Sequence, residues 1–77
     1  LAFGKVLRAV RREVGLTQEQ LAHAAAIDRT FVSLIERGER QPTVRVIFRL
    51  AEALRVTPSR LIELTEGQVG HEVREGP

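Results

Sequence analysis

Between Leu16 and Gly38 two helix starts and two helix stops fall within twenty-three residues, which leaves room for two short helices and a tight turn. Thr17 carries a hydroxyl able to accept from the free N–H groups of a first turn, so a helix is expected over Gln18 to Ala25. Glu19 falls early in it, where a negative charge suits the positive end of the helix dipole. Ala26-Ile27-Asp28 breaks the pattern. Asp28 is then a second N-cap, ahead of a helix over Arg29 to Arg37, and Gly38 stands where a left-handed residue would close it.

The faces of these helices are more telling than their ends. Leu21, Ala22, Ala25, Ile27, Val32 and Ile35 recur at the i, i+3, i+4 spacing of a buried seam through both. Small Ala22, Ala25 and Ala26 let the two backbones come close. The outside of the second helix is left with Arg29, Thr30, Ser33, Leu34 and Arg37. It has donors, a hydroxyl, an aliphatic contact and no acid apart from Asp28, a set chemically suited to a DNA groove.

Three more helices follow from the same logic. One runs from about Ala2 to Val14, with Phe3, Val6, Leu7, Val10 and Val14 on one face. Thr43 caps another reaching about Leu54, with Val46, Ile47, Leu50, Ala51 and Leu54 as its stripe. Thr57 followed by Pro58 is an N-cap and first-turn pair opening a fifth, to about Leu64. From Thr65 to Pro77 there are three glycines, a terminal proline and scattered charge. The expectation is an all-α, compact five-helix domain over residues 1–64 and a flexible tail over 65–77.

Composition narrows the chemistry. The chain has no cysteine, which removes disulfides, thiolate metal sites and cysteine nucleophiles together. His23 and His71 lie far apart with no further ligand nearby, so no metal site is expected. The serines and threonines have no base beside them, and neither catalysis nor a cofactor is expected. No apolar run approaches the ~20 residues needed to span a bilayer, and no signal-peptide pattern is present; a cytoplasmic location is the expectation. Net charge is +2, but residues 1–65 hold eleven basic and seven acidic side chains, a balance of +4. Arginine outnumbers lysine eleven to one, and arginine makes forked contacts with phosphate and guanine.

The run Leu16-Thr17-Gln18-Glu19-Gln20-Leu21-Ala22, then Ile27-Asp28-Arg29-Thr30, Val32-Ser33 and Ile35-Glu36-Arg37-Gly38 resembles the helix-turn-helix of the lambda-repressor-like, Cro-type family of bacterial and phage regulators. The similarity continues through Gln41-Pro42-Thr43, Leu50-Ala51-Glu52-Ala53-Leu54 and Thr57-Pro58-Ser59-Arg60-Leu61, covering roughly Phe3 to Leu64. The resemblance implies that the second helix of the motif enters the major groove, with Arg29, Thr30, Ser33 and Leu34 reading bases. It places Thr17, Gln18, Phe31, Arg37, Arg40, Gln41 and Thr43 on the phosphate side, where contacts position the protein without reading sequence. It also implies a structural salt bridge between Arg11 and Glu36. The chain departs from the family pattern at Ala26, where glycine is common, at Phe31 and Leu34, where polar residues are common, and at Arg55, where glycine or asparagine is common.

The partners so implied are double-stranded DNA, a second copy of the chain, and RNA polymerase, beside which such regulators act as repressor or activator. One reading helix spans few base pairs, so a homodimer on a palindromic operator is expected. Leu54, Val56, Leu61, Ile62 and Leu64 are its candidate interface, their alternative being closure of the monomer's own core. With little chain after Leu64, the resemblance extends to stand-alone members, including restriction–modification controllers. A truncated N-terminal domain of a longer, ligand-responsive regulator is an alternative, in which the acidic tail would serve as a linker. So is an antitoxin or co-activator type of interaction module in which DNA binding is secondary. Plainer readings stand beside individual residues: Arg29 as a solvated helix start pairing with Asp28 or Glu36, Leu34 as an edge of the core, Arg37 and Arg40 as a solvated loop.

Overall fold

Five helices fill residues 2–73, the residues that the computed structural model describes: α1 (Ala2–Val14), α2 (Gln18–Ala25), α3 (Arg29–Glu36), α4 (Val44–Leu54) and α5 (Pro58–Val73). Three of the starts are hydroxyl caps. Thr17 Oγ1 accepts from the Gln20 amide at 3.0 Å, while the Gln20 side chain accepts from the Thr17 amide at 2.9 Å, which is a full capping box. Thr43 accepts from the Val46 amide at 3.2 Å and Thr57 from the Arg60 amide at 3.1 Å. Asp28 holds the N-cap position of α3 with extended backbone, but its side chain makes no capping bond. The Phe31 amide, one of those such a cap would take, is already held by the Asp28 backbone carbonyl at 3.0 Å.

Four helix ends share one closure. Gly15, Ala26, Gly38 and Arg55 have positive φ (91°, 58°, 77° and 60°). In each case the next residue donates back to a carbonyl five residues earlier: Leu16 to Arg11, Ile27 to Ala22, Glu39 to Leu34, Val56 to Ala51, at 2.9–3.1 Å. The bonds satisfy carbonyls that a helix end leaves open. Two of the four positions are not glycine, so their left-handed backbone is strained by the Cβ.

The core is aliphatic. Leu7, Leu21, Val32, Ile35, Leu50, Leu54 and Leu61 are fully buried, with Phe3, Val6, Val10, Ala22, Ala25 and Ala51 around them. α2 packs on α3 and α4, and α1 lies across α3 and α5. Gly4 allows the α1–α3 crossing: a Cβ there would fall on the Ile35 carbonyl oxygen and 2.8 Å from that of Glu36. The seam expected through α2 and α3 is buried, with Ile27 half-buried at its edge. Val14 is 46 % exposed, contrary to its place in the apolar face of α1, because Gly15 turns the chain away just beyond it.

The expected end of the last helix near Leu64 is corrected. α5 continues to Val73, so the boundary at 64/65 is not a break in the backbone structure. Thr65 stays inside the helix by donating its hydroxyl to the Leu61 carbonyl at 2.7 Å. Gly67 and Gly70 each cost a helix only about 1 kcal/mol, and Leu64 and Gln68 lie along Val6, Ala9 and Val10 of α1. Residues 74–77, the remainder of the expected tail, lie outside the described residues.

Candidate nucleic-acid interface

The recognition region is held in place by one buried ion pair. Arg11 on α1 donates from Nε to Glu36 Oε2 at 2.6 Å and from Nη2 to Oε1 at 3.1 Å. Its remaining nitrogen Nη1 reaches the Leu16 carbonyl at 2.7 Å, just before α2. The Arg11 and Glu36 side chains are 11 % and 3 % exposed. Gln18, at the start of α2, adds a third donor to the carboxylate, Nε2 to Oε1 at 3.0 Å. α1, the α1–α2 link, α2 and α3 are thereby tied at one point. Breaking a buried pair by removing one partner typically costs about 3–5 kcal/mol, because the other charge is left unpaired.

With Glu36 committed inward, the outer side of α3 is open. Arg29 and Thr30 are exposed and Ser33 and Leu34 half-buried. None of their side chains takes a hydrogen bond or ion pair among the described residues, so Arg29 pairs with neither Asp28 nor Glu36. The four candidate base readers thus share the outer side of one two-turn helix. Phe31 is half-buried against the core rather than presented outward.

The candidate phosphate residues flank that helix. Thr17 and Gln18 are at the start of α2, the first occupied in its capping box and the second on Glu36. Arg37 and Arg40 are exposed in the turn after α3, with Gln41 and the capping Thr43 leading into α4. Arg37 makes only a solvent-exposed pair with Glu39 at 3.3 Å, of a kind worth little. Arg40 makes no ion pair among the described residues.

The candidate dimer surface needs the largest revision. Leu54 and Leu61 are 1 % and 0 % exposed: they close the monomer's own core and are not available to a partner. Val56 and Leu64 are half-buried against the same core, and of the five only Ile62 is exposed, at 47 %. Exposed apolar residues that the sequence reading did not single out lie on α4. Val44 is 70 % and Phe48 58 % exposed, and with Ile47, Pro58 and Ile62 they line a groove of about 500 Å³ between α4 and α5. The signal was legible: Val44 and Phe48 are four apart and share a face, and Phe48 falls outside the stripe that Val46, Ile47, Leu50, Ala51 and Leu54 form.

Two short helices set across a three-residue turn, with an open donor face on the second, define a helix-turn-helix DNA-binding regulator. The helix-turn-helix family model matches residues 7–61, and the chain belongs to that family. Among solved structures it is similar to the restriction–modification controller protein C.AhdI from Aeromonas hydrophila. That match has 42 % identity and a TM-score of 0.76 and covers 78 % of this chain and 91 % of the controller. Control protein C.BamHI of Bacillus amyloliquefaciens is 36 % identical over 66 residues, 84 % of this chain and 82 % of its own. An HTH-type transcriptional regulator of Sinorhizobium fredii, y4dJ, is 40 % identical over 57 residues, 74 % of either chain. The lambda-repressor-like resemblance and the five-helix, all-α expectation both hold. Among the described residues no helix is long and apolar enough to cross a membrane.

Proposed function

We propose that the chain carries out the transcriptional regulation of its family as a two-fold dimer that reads a palindromic double-stranded operator through α3. The observation that carries this is the outer side of α3, where the side chains of Arg29, Thr30, Ser33 and Leu34 have no competing polar partner among the described residues. Arg29 forks onto guanine O6 and N7, a contact that discriminates by roughly 1–3 kcal/mol. Thr30 bonds a base edge or phosphate, small Ser33 admits close approach, and Leu34 packs on a thymine methyl. Gln18, Arg37, Arg40, Gln41 and Thr43 hold the flanking phosphates, with Thr17 and Phe31 supporting them through the α2 cap and the α3 packing. Such regulators act in the cytoplasm by their placement relative to RNA polymerase.

The dimer is built on the α4–α5 groove. Val44, Phe48 and Ile62 supply its apolar centre. Its α5 edge carries Glu66 and Glu63, the latter in an exposed pair with Arg60, and the neighbouring α4 surface carries Arg45 and Arg49 beside Phe48, with one acid, Glu52. A two-fold axis brings the acidic edge of one copy onto the basic edge of the other, which is the self-complementarity an isologous contact requires.

Selection of bound duplexes from a random pool at about 150 mM salt, where purely electrostatic binding is suppressed, tests the reading. An enriched palindrome with half-sites one helical turn apart is the expected result. Binding that is uniform over sequences and strongly salt-dependent would overturn it in favour of an antitoxin or co-activator type of module.

A further inference from the structure

We propose that Glu36, which faces no DNA itself, is the positioning residue for the Gln18 phosphate contact. The proposal rests on the DNA-binding reading above and deepens it. Glu36 is almost wholly buried, and its Oε1 accepts from both Arg11 Nη2 at 3.1 Å and Gln18 Nε2 at 3.0 Å. A carboxylate accepts and does not donate, so it fixes which end of the Gln18 carboxamide faces inward. The amide nitrogen must point to Glu36, because a flipped carboxamide would set its oxygen against the carboxylate. One N–H of that nitrogen is then used, and the second has no partner among the described residues. A half-buried side chain at the first residue of α2 thus presents a single, pre-aimed donor at a helix N-terminus, where the free backbone amides already favour an anion.

The physical gain is pre-organisation. Glutamine is among the side chains with most rotamer freedom to lose on being fixed, and immobilising such a group on binding is a recognised cost of association. Here the freedom is removed in the free protein by a carboxylate that Arg11 in turn holds still from α1. The same bond links the phosphate grip on α2 to the far end of the reading helix, since Glu36 is the last residue of α3. Gripping the strand and setting the α3 angle therefore become one event.

The test is a double-mutant cycle on the full chain and its selected duplex, with melting temperature measured beside affinity. Gln18→Ala and Glu36→Gln are each expected to weaken binding about five- to tenfold, and the double variant no more than either alone. Replacing the phosphate facing Gln18 by an uncharged methylphosphonate should abolish the effect of both substitutions. A stability change without this coupling is what a merely structural Glu36 would give. Additive losses in affinity, or a Glu36→Gln effect that persists on the methylphosphonate duplex, would overturn the proposal.

Should Glu36→Gln fail to fold, the wild-type chain still decides the matter through the two side-chain amide protons of Gln18, followed by nitrogen-edited magnetic resonance. One proton should exchange slowly with water in the free protein, and the other should move on adding duplex. Equal and rapid exchange of both would overturn the assignment. If wild-type chain selects an operator but Gln18→Ala binds it unchanged, the regulatory reading stands and this inference falls. If no operator is selected, it is the regulatory reading that fails.

Discussion

Arg29 and Arg40 are both exposed arginines bordering the same helix, yet shortening them should have different consequences. Arg29→Ala is expected to relax preference at one base position and to weaken the cognate site by about 1–3 kcal/mol. Arg40→Ala should weaken all sequences alike and reduce the slope of log affinity against log salt by about one. Binding titrations on a panel of single-base variants at several salt concentrations separate the two, and identical behaviour would dissolve the division between readers and grips. A third residue tests the fold rather than the site. Ala26 is held at φ 58°, so Ala26→Gly should relieve the Cβ strain of a left-handed residue. Set against the extra freedom glycine adds to the unfolded chain, a net gain of about 0.5–1 kcal/mol is expected in urea unfolding. The outer face of α3 was legible from helical spacing, whereas the Arg11–Glu36 pair was expected only through the family resemblance before the structure showed it. The bond from Gln18 to Glu36 was legible in neither way, because it joins residues eighteen apart whose meeting depends on how α2 and α3 cross.

The α1–α3 contact is where one element depends most narrowly on another. Gly4→Ala would drive a methyl into the Ile35 and Glu36 carbonyls, and backbone cannot step aside as a flexible side chain can. An overpacking loss at or above the usual range of about 1–3 kcal/mol is expected, seen as a lowered urea midpoint with an unchanged slope. Little or no loss would mean that α1 slides along α3 without harm. Helix starts were readable because each expected cap is a local event, a hydroxyl meeting an amide three residues on. Asp28 departs from that rule: it holds the N-cap position with extended backbone, but its carboxylate takes no amide of the first turn. The far end of α5 was unreadable for a different reason: Gly67 and Gly70 look like stops in isolation, whereas in the fold Leu64 and Gln68 lie along α1.

At the scale of the whole molecule, sequence periodicity identified which residues are apolar but not which of two apolar surfaces each one faces. Leu54, Leu61 and Ile62 look alike in the sequence; in the structure the first two are sealed in the core and the third is open. Phe48→Glu is accordingly expected to weaken self-association at least about tenfold while leaving the thermal unfolding of the dilute monomer unchanged. Sedimentation equilibrium with a parallel thermal scan reads both, and a dimer that survives the substitution would move the interface elsewhere. The division of labour inside the fold has a broader consequence. Stability is carried by the leucine interior, Gly4 and the Arg11–Glu36 pair, whereas the side chains of Arg29, Thr30, Ser33 and Leu34 form no polar bond among the described residues. Changes at exposed positions such as Arg29 and Thr30 usually stay within about 0.5 kcal/mol, and Ser33 and Leu34 are only half-buried. On the proposed assignment of base readers the scaffold can therefore be re-addressed without being rebuilt: descendants that differ at those four positions would fold alike yet ignore each other's operators, so that several could share one cell without cross-talk.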